Sequence, residues 1–274
     1  MKSLDWSQAT DQELAQIKGV CLDIDDTLST HGKLTDEAYT ALWDLKRKGF
    51  AVVPVTGRPA GWCDHIARFW PVDAVIGENG AFVFYMSGGV LKRLNTPGGE
   101  PSLSARKKKL EALGAVILKK FPHARWASDQ NYREYDLAID FCEDVPAWPR
   151  SDVDQLLALC HAEGANAKLS SIHVNAWYGA FDKRKGFENW LASGAPGISG
   201  PIPTDDQWLF IGDSPNDEPL FEKFKWSVGV ANLKNYLDRV KHPPRWITTS
   251  ESGAGFAEMT QALTKGRGHL LVLK

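Results

Sequence analysis

The 274-residue chain lacks several features that would place it in a specialised class of protein. Its four cysteines show no paired CxxC spacing, so buried reduced thiols are the expected state. A formal net charge of −2 gives no whole-protein reason to expect nucleic acid or a membrane surface as a partner. There is no apolar run long enough to span a membrane, no apolar leader-like segment near residue 1 and no internal repeat. We therefore expect a soluble, cytoplasmic protein with neither a nucleic-acid nor a membrane partner.

The first third of the chain alternates between strand and helix patterns. Apolar runs predict strands at about 19–25, 51–56 and 72–76. Between them, apolar residues at helical spacing predict helices at about 35–48 and 59–69. A βαβαβ order favours a parallel sheet with right-handed crossovers.

The pattern changes after Ile76. A hairpin is predicted near 81–89, and the residues that follow read as helices and alternating strands of an antiparallel sheet with one polar face. Strand and helix signals typical of the first third return from about residue 183. We therefore predict an α/β protein with a parallel-sheet core over 1–85 and 181–274 and an α+β insert over 86–180.

Four short polar segments stand out along the chain, and three of them directly follow predicted buried strands. They are Asp23-Ile24-Asp25-Asp26-Thr27, Thr56-Gly57-Arg58, Lys185-Gly186 and Gly212-Asp213-Ser214-Pro215-Asn216-Asp217. Residues at the carboxyl ends of neighbouring parallel strands converge on one crevice. The sequence therefore predicts a single site that combines carboxylates, a hydroxyl and an ammonium group.

The first segment suggests phosphoryl transfer. Asp23 and Asp25 lie two residues apart on a strand, so their side chains leave on the same face. One carboxylate can attack phosphorus to form an aspartyl-phosphate, and the other can protonate the leaving oxygen and later deprotonate water.

Attack by an anion on an anionic phosphate needs a cation, and Mg²⁺ prefers oxygen ligands. Asp23 with Asp213 meets that demand, and Asp217 can add a ligand through water or support the others. Lys185 and the Thr56 hydroxyl would hold the phosphoryl oxygens. Each segment alone also fits a surface turn, a solvated lysine or a helix start, but their order and placement favour the catalytic interpretation.

The four segments resemble the motifs of the haloacid dehalogenase (HAD)-like phosphatases, over about 19–85 and 181–260. The resemblance implies a Rossmann-like core, with Asp23 as nucleophile, Asp25 as acid/base, Thr56 and Lys185 as phosphate ligands, and Asp23, the Asp25 carbonyl and Asp213 as Mg²⁺ ligands supported by Asp217. Lys183 precedes Lys185 and could take its place, but we favour Lys185 because Gly186 follows it. We further expect phosphate or substrate contacts from Gly57, Arg58, Asn79 and Asn216.

The position of the insert resembles the class-II cap arrangement. Segments 78–81 and 229–232 are similar to those of the Cof-like, sugar-phosphatase branch of the family. A cap would select the leaving group, and Arg133, His173 and Asn175 are the candidate contacts. An ordinary exposed strand face is an equally open interpretation of these three residues.

These observations predict a Mg²⁺-dependent phosphatase that acts on a small phosphomonoester, with sugar phosphates as the favoured class. A phosphomutase that returns the phosphoryl group to the sugar is an alternative with the same nucleophile and metal. A non-catalytic sugar-phosphate-binding protein on the same fold is another. The sequence does not fix the substrate or the oligomeric state.

Overall fold

Three sheets organise the chain, and the computed structural model describes residues 3–97 and 102–268. The strands are β1 Leu4–Asp5, β2 Gly19–Leu22, β3 Ala51–Pro54, β4 Ala74–Gly77, β5 Phe82–Ser87, β6 Val90–Asn95, β7 Arg125–Trp126, β8 Asp136–Asp140, β9 Asn166–Leu169, β10 His173–Trp177, β11 Trp208–Gly212, β12 Trp226–Gly229 and β13 Trp246–Ile247. The α-helices are α1 Asp11–Leu14, α2 Asp36–Arg47, α3 Ala60–Phe69, α4 Leu103–Lys120, α5 Arg150–Ala162, α6 Lys183–Ala192, α7 Glu218–Lys223 and α8 Ser252–Thr264.

The central sheet is parallel and has the order β1-β13-β12-β11-β2-β3. Its middle strands, β2 and β11, are buried along their whole length, which explains their continuous apolar sequences. Apolar side chains of α2 and α8 pack on one face of the sheet, and those of α6 and α7 pack on the other. The predicted α/β fold with a parallel-sheet core is confirmed.

The third predicted strand, β4, is not a full member of the central sheet. β4 meets it through a single parallel bridge between Val55 and Ile76, and pairs antiparallel with β5. β6 then pairs antiparallel with β5, so that β4, β5 and β6 form a separate antiparallel sheet beside the central one. The predicted domain boundary at residue 86 falls inside β5, one strand of this hairpin, and its position stays a proposal. Residues 1–2, 98–101 and 269–274 of the proposed ranges lie outside the described residues.

The inserted segment contains an antiparallel sheet of order β7-β8-β10-β9, covered on one face by α4 and α5. Leu137 and Ile139 of β8 belong to the apolar cluster under these helices. The polar residues of the strand, Asp136 and Asp140, are also buried, each about 1% exposed. The sequence predicts a half-buried strand, but the polar face lies against the core and is closed from water. We call this unit the cap.

Candidate active site

Three carboxylates meet at the carboxyl ends of the central strands. Asp23 follows β2, whereas Asp213 and Asp217 follow β11, the strand beside it. Ligand oxygens of all three residues lie within 4.8 Å of one another, and all three side chains are buried. The structure thus brings together the acidic residues of two segments that are about 190 positions apart in the sequence.

Two hydrogen bonds orient the carboxylate of Asp213. The Thr27 hydroxyl donates to Oδ1 at 3.3 Å, and Nδ2 of Asn232 donates to Oδ2 at 3.4 Å. Nδ2 of Asn232 also donates to the backbone carbonyl of Asp26 at 3.0 Å. Asn232 therefore links the first and last motifs. Sequence reasoning noted its segment but did not include Asn232 among the site residues.

Asp217 supports the loop that carries Asp213. Its Oδ2 accepts the backbone N–H groups of Asp213 and Ser214 at 3.0 and 3.2 Å. A Cβ on Gly212 would lie only 2.4 Å from that oxygen, so glycine is required for the close approach. Asn216 is occupied within the loop, where its Oδ1 accepts from the Ser214 hydroxyl at 2.9 Å.

The lysine that joins this cluster is Lys183, which corrects the choice of Lys185. The Lys183 ammonium lies 2.7 Å from Oδ1 of Asp23 and 2.7 Å from Oδ1 of Asp217. Lys185 is exposed, and its ammonium donates to the carbonyl of Ala180. The start of α6 explains why Lys183 is the residue in the cluster. The Asp182 carboxylate caps the helix by accepting the Lys185 N–H, and Lys183 is therefore the first helical residue. The Asp182 cap was the sequence signal that favoured Lys183.

Negative charge exceeds positive charge in this cluster. Burial, with smaller contributions from neighbouring carboxylates, raises the pKa of Asp23 to about 8 even though Lys183 opposes the change. Burial and the charges of Asp23 and Asp217 also raise the pKa of Asp213. Burial alone would lower the pKa of Lys183, but its two carboxylate partners raise it. A buried, oxygen-rich group with uncompensated negative charge fits a hard divalent cation such as Mg²⁺.

The loop after β3 brings Arg58 to the second aspartate of the first motif. The Thr56 hydroxyl accepts the Arg58 N–H at 3.0 Å and so fixes the turn. The Arg58 guanidinium then donates to Asp25, with Nη2 and Oδ1 2.7 Å apart. It also donates to two cap residues, Glu143 at 2.7 Å and Asp129 at 3.3 Å. Arg58 thus has three carboxylate partners in the structure, and its contact with phosphate stays a prediction.

Arg133, His173 and Asn175, the predicted substrate contacts of the cap, all form hydrogen bonds or ion pairs with other protein groups. Arg133 donates to the carbonyl of Gly57 at 2.8 Å and to Asp136 at 3.0 Å. Asn175 donates to the same Asp136 at 2.8 Å. Nε2 of His173 lies 2.8 Å from Glu143. Arg133 thus connects the cap to the core, and the substrate contacts of these three residues stay predictions.

Glu78 also connects the core to the cap, a role that the sequence analysis did not predict. This fully buried carboxylate accepts the N–H of Ala60 at 3.1 Å in the core. It also accepts the N–H groups of Glu134 at 3.0 Å and Tyr135 at 2.5 Å at the start of β8. No local pattern marks this role, because the cap partners of Glu78 are 56 and 57 positions away.

Asn79 lies beside the loop after β3 in a left-handed backbone conformation, with φ of 54°. Its own N–H donates to the carbonyl of Thr56 at 3.0 Å. Its side-chain amide is buried, and neither Nδ2 nor Oδ1 has a hydrogen-bond partner among the described residues. A Cβ on Gly57 would lie 3.3 Å from Nδ2, so the glycine leaves a small polar hollow next to this amide.

A family model described as haloacid dehalogenase-like hydrolase matches residues 20–96. This range contains Asp23, Asp25, the loop after β3 and the hairpin. The chain resembles the haloacid dehalogenase-like hydrolases. The match contains the first two of the four motifs and confirms the resemblance over that part of the chain. No curated protein sequence matches the chain.

Several solved structures superpose on about nine tenths or more of this chain. A Thermoplasma acidophilum protein is 18% identical, with a TM-score of 0.67 and coverage of 90% of this chain and 98% of its own. The Synechocystis sucrose-phosphatase, solved with sucrose and phosphate, is 18% identical, with a TM-score of 0.62 and coverage of 90% and 98%. The C-terminal domain of C. albicans trehalose-6-phosphate phosphatase is 13% identical, with a TM-score of 0.70 and coverage of 96% and 98%. At these identities the likeness demonstrates a shared fold across core and cap.

Proposed function

We propose that this protein is a Mg²⁺-dependent phosphatase that hydrolyses a small phosphomonoester, of the sugar-phosphate class, through an aspartyl-phosphate. The observation that carries the proposal is the cluster of Asp23, Asp213 and Asp217 at the end of a parallel sheet, with Lys183 paired to Asp23 and Asp217. Asp25 stands two residues beyond the proposed nucleophile. The sucrose and trehalose-6-phosphate phosphatases among the similar structures support the choice of substrate class.

In the first half-reaction, a carboxylate oxygen of Asp23 forms a bond to phosphorus. The bond between phosphorus and the ester oxygen breaks, its electron pair stays on that oxygen, and Asp25 supplies the proton that completes the alcohol. In the second half, water attacks the same phosphorus and gives a proton to Asp25. The bond to Asp23 breaks, which releases phosphate and restores both carboxyl groups.

Lys183 has two tasks in this scheme. Its contact with Asp23 holds the nucleophile, and its charge balances phosphoryl oxygens as they approach the carboxylates. Mg²⁺ would be held by Asp23, Asp213 and the Asp25 carbonyl, and when bound it supplies the positive charge that lets a carboxylate approach a phosphate. Thr27 and Asn232 fix the orientation of Asp213 for that purpose.

The cap would cover the site and exclude water. Arg58 joins Asp25 to Asp129 and Glu143, and Arg133 joins the cap to the carbonyl of Gly57. Exclusion of water strengthens the electrostatic interactions within the crevice and protects the intermediate until the alcohol leaves.

The test is phosphate release from a panel of sugar phosphates, phosphoglycerates and nucleotides, with Mg²⁺ and with EDTA. We expect Mg²⁺-dependent release from at least one sugar phosphate, and its loss in Asp23→Asn. Asp36→Asn, which removes the same charge from the exposed start of α2, is the matched control and should retain turnover. Activity that survives Asp23→Asn, or that is unchanged by EDTA, would contradict the mechanism.

We also propose a cytoplasmic location. All four cysteines are free thiols in the structure, as in a reducing compartment. Within residues 3–97 and 102–268, no helix has the length and apolar character needed to cross a membrane.

A further inference from the structure

The backbone around Asn79 holds this residue next to the proposed phosphate-binding groups. Its own N–H donates to the carbonyl of Thr56 at 3.0 Å. A Cβ on the next residue, Gly80, would lie 3.1 Å from the backbone nitrogen of Lys183, whose ammonium contacts Asp23. Asn79 therefore lies at the carboxyl edge of the central sheet, between the loop after β3 and the start of α6.

The contacts within the protein do not account for the side chain of Asn79. The residue is 2% exposed, and neither Nδ2 nor Oδ1 has a hydrogen-bond partner in residues 3–97 and 102–268. Asparagine tolerates a φ of 54° chiefly because its amide can hydrogen-bond to nearby backbone, but this amide forms no such bond with the described backbone. A buried donor and acceptor left unpaired destabilise the fold, so the amide points to a ligand.

An amide of the cap faces the same place. Asn175 of β10 is 2% exposed, and its Nδ2 donates to Asp136 at 2.8 Å. A Cβ on Gly57 would lie 3.3 Å from Nδ2 and 3.5 Å from Oδ1 of Asn79, and 3.6 Å from Oδ1 of Asn175. The polar hollow at Gly57 is thus bordered by the core on one side and by the cap on the other.

The groups at this hollow match one kind of ligand atom. They are two amide oxygens, which accept hydrogen bonds, and one amide NH2 group, which donates them. A hydroxyl group can serve both, because it accepts one hydrogen bond and donates another. Phosphate dianions and ionised carboxylates only accept, and would leave the amide oxygens unsatisfied.

We propose that Asn79 is a specificity-determining residue whose amide, together with Oδ1 of Asn175, binds a hydroxyl group of the substrate. The alcohol part of the ester carries this hydroxyl to the junction of core and cap while the phosphoryl group lies at Asp23. The inference rests on the proposed phosphatase function and narrows it, since esters of alcohols without a further hydroxyl are poor ligands.

The test compares esters that differ in their hydroxyl groups, on protein that cannot turn them over. Isothermal titration of Asp23→Asn with Mg²⁺ would give Kd values for glucose 6-phosphate and cyclohexylmethyl phosphate, and for glycerol 3-phosphate and propyl phosphate. Within each pair the phosphate group is the same, and the second ester lacks the hydroxyls. Inorganic phosphate reports on the phosphate-binding groups alone.

Asn79→Gly in the same background removes the amide and keeps a residue that tolerates a φ of 54°. We expect the hydroxyl-bearing ester of at least one pair to bind more tightly than its partner. Asn79→Gly should weaken that ester about tenfold, as expected for the loss of two hydrogen bonds between neutral groups. The Kd values of the hydroxyl-free ester and of inorganic phosphate should stay unchanged. Because the deleted amide is unpaired, the melting temperature of the ligand-free protein should not fall.

A second variant probes the hollow and leaves both amides in place. The methyl group of Gly57→Ala would lie between Asn79 and Asn175 and should weaken the same ester. Asn166→Gly is the control, because it removes an exposed cap amide that donates to the carbonyl of Gly179. It should change none of the Kd values.

Equal weakening of inorganic phosphate by Asn79→Gly would show that the amide binds the phosphoryl group, and would overturn the inference. A hydroxyl preference that persists in Asn79→Gly, a fall of several degrees in its melting temperature, or failure of both hydroxyl-bearing esters to bind would do the same. Binding is measured without catalysis, so failure of the phosphatase proposal is read separately, from turnover by the unmodified protein.

Discussion

The Lys183 ammonium contacts both Asp23, the proposed nucleophile, and Asp217, which supports the loop of Asp213. Asp213 lies beside these two carboxylates, and all four side chains are buried. Removing one partner from a buried ionic group leaves the remaining charges uncompensated, which is more costly than the loss of a surface pair. The cluster is therefore sensitive both in stability and in catalysis.

Lys183→Met should abolish most of the activity and destabilise the metal-free protein. We expect phosphate release to fall at least about hundredfold and the free energy of unfolding to fall by about 3 kcal/mol. Lys185→Met is the matched control; its side chain is exposed, and we expect a change within about 0.5 kcal/mol. Urea denaturation and phosphate release measure both effects. The assignment is wrong if Lys185→Met is the inactive variant.

At this scale the sequence was informative about some residues and silent about others. Asp23 and Asp213 could be placed because each directly follows an apolar strand, and strand ends converge. Glu78 and Glu143 could not, because they find their partners across the core–cap boundary. Residue type does not encode a contact between positions 58 and 143; only the packing of the cap creates it.

Among the secondary-structure elements, the start of α6 depends on glycine. A Cβ on Gly186 would lie 2.5 Å from the Cα of Gly80, and a Cβ on Gly80 would lie 1.9 Å from the carbonyl oxygen of Asp182. Both distances are too short for any side chain without movement of the backbone. This close approach lets α6 present Lys183 to the carboxylates.

Gly186→Ala should therefore displace the first turn of α6. We expect a loss of about 1–3 kcal/mol in unfolding free energy, together with reduced phosphate release because Lys183 moves. In Gly200→Ala a Cβ would meet nothing within 4 Å, so this control should be nearly neutral. Thermal unfolding of Gly186→Ala and Gly200→Ala measures the difference in stability. Equal melting temperatures would show that α6 does not need glycine at position 186.

Strand partners were harder to predict than strands. The apolar run at 72–76 predicts β4, and the βαβαβ order predicts a parallel neighbour for it. In the structure β4 pairs antiparallel with β5 and meets the central sheet at a single bridge. Hydrophobic periodicity reports which faces are buried, whereas the choice of partner depends on where the hairpin packs.

Across the whole molecule, ionic contacts and hydrogen bonds hold the cap on the core. Arg58 donates to Glu143, Arg133 donates to the carbonyl of Gly57, and Glu78 accepts a backbone N–H at the first residue of β8. Burial alone would raise the pKa of Glu143, but hydrogen bonds from His173 and Arg58 lower it to about 2. The ionised carboxylate therefore contributes to closure of the crevice.

Glu143→Gln should weaken the protein in a pH-dependent way. A lowered carboxyl pKa contributes stability above its unfolded value of about 4.3, and this contribution is lost as the pH falls through about 2. Allowing for partial exposure, we expect a deficit of about 1–2 kcal/mol at pH 7 that shrinks below about pH 4.5. Urea unfolding across this range, with exposed Glu111→Gln as control, measures it. A deficit that is constant with pH would contradict the ionic origin.

The order of strands in the central sheet has a consequence for how the chain folds during synthesis. β2 pairs with β11, Val20 opposite Leu209, and β1 has its described partner at Trp246. The cap strands, from Arg125 to Trp177, pair only among themselves. A ribosome delivers all of the cap before it delivers β11, so the cap can fold while the core still lacks half of its sheet. The catalytic cluster then assembles late, on a molecule whose cap is already formed.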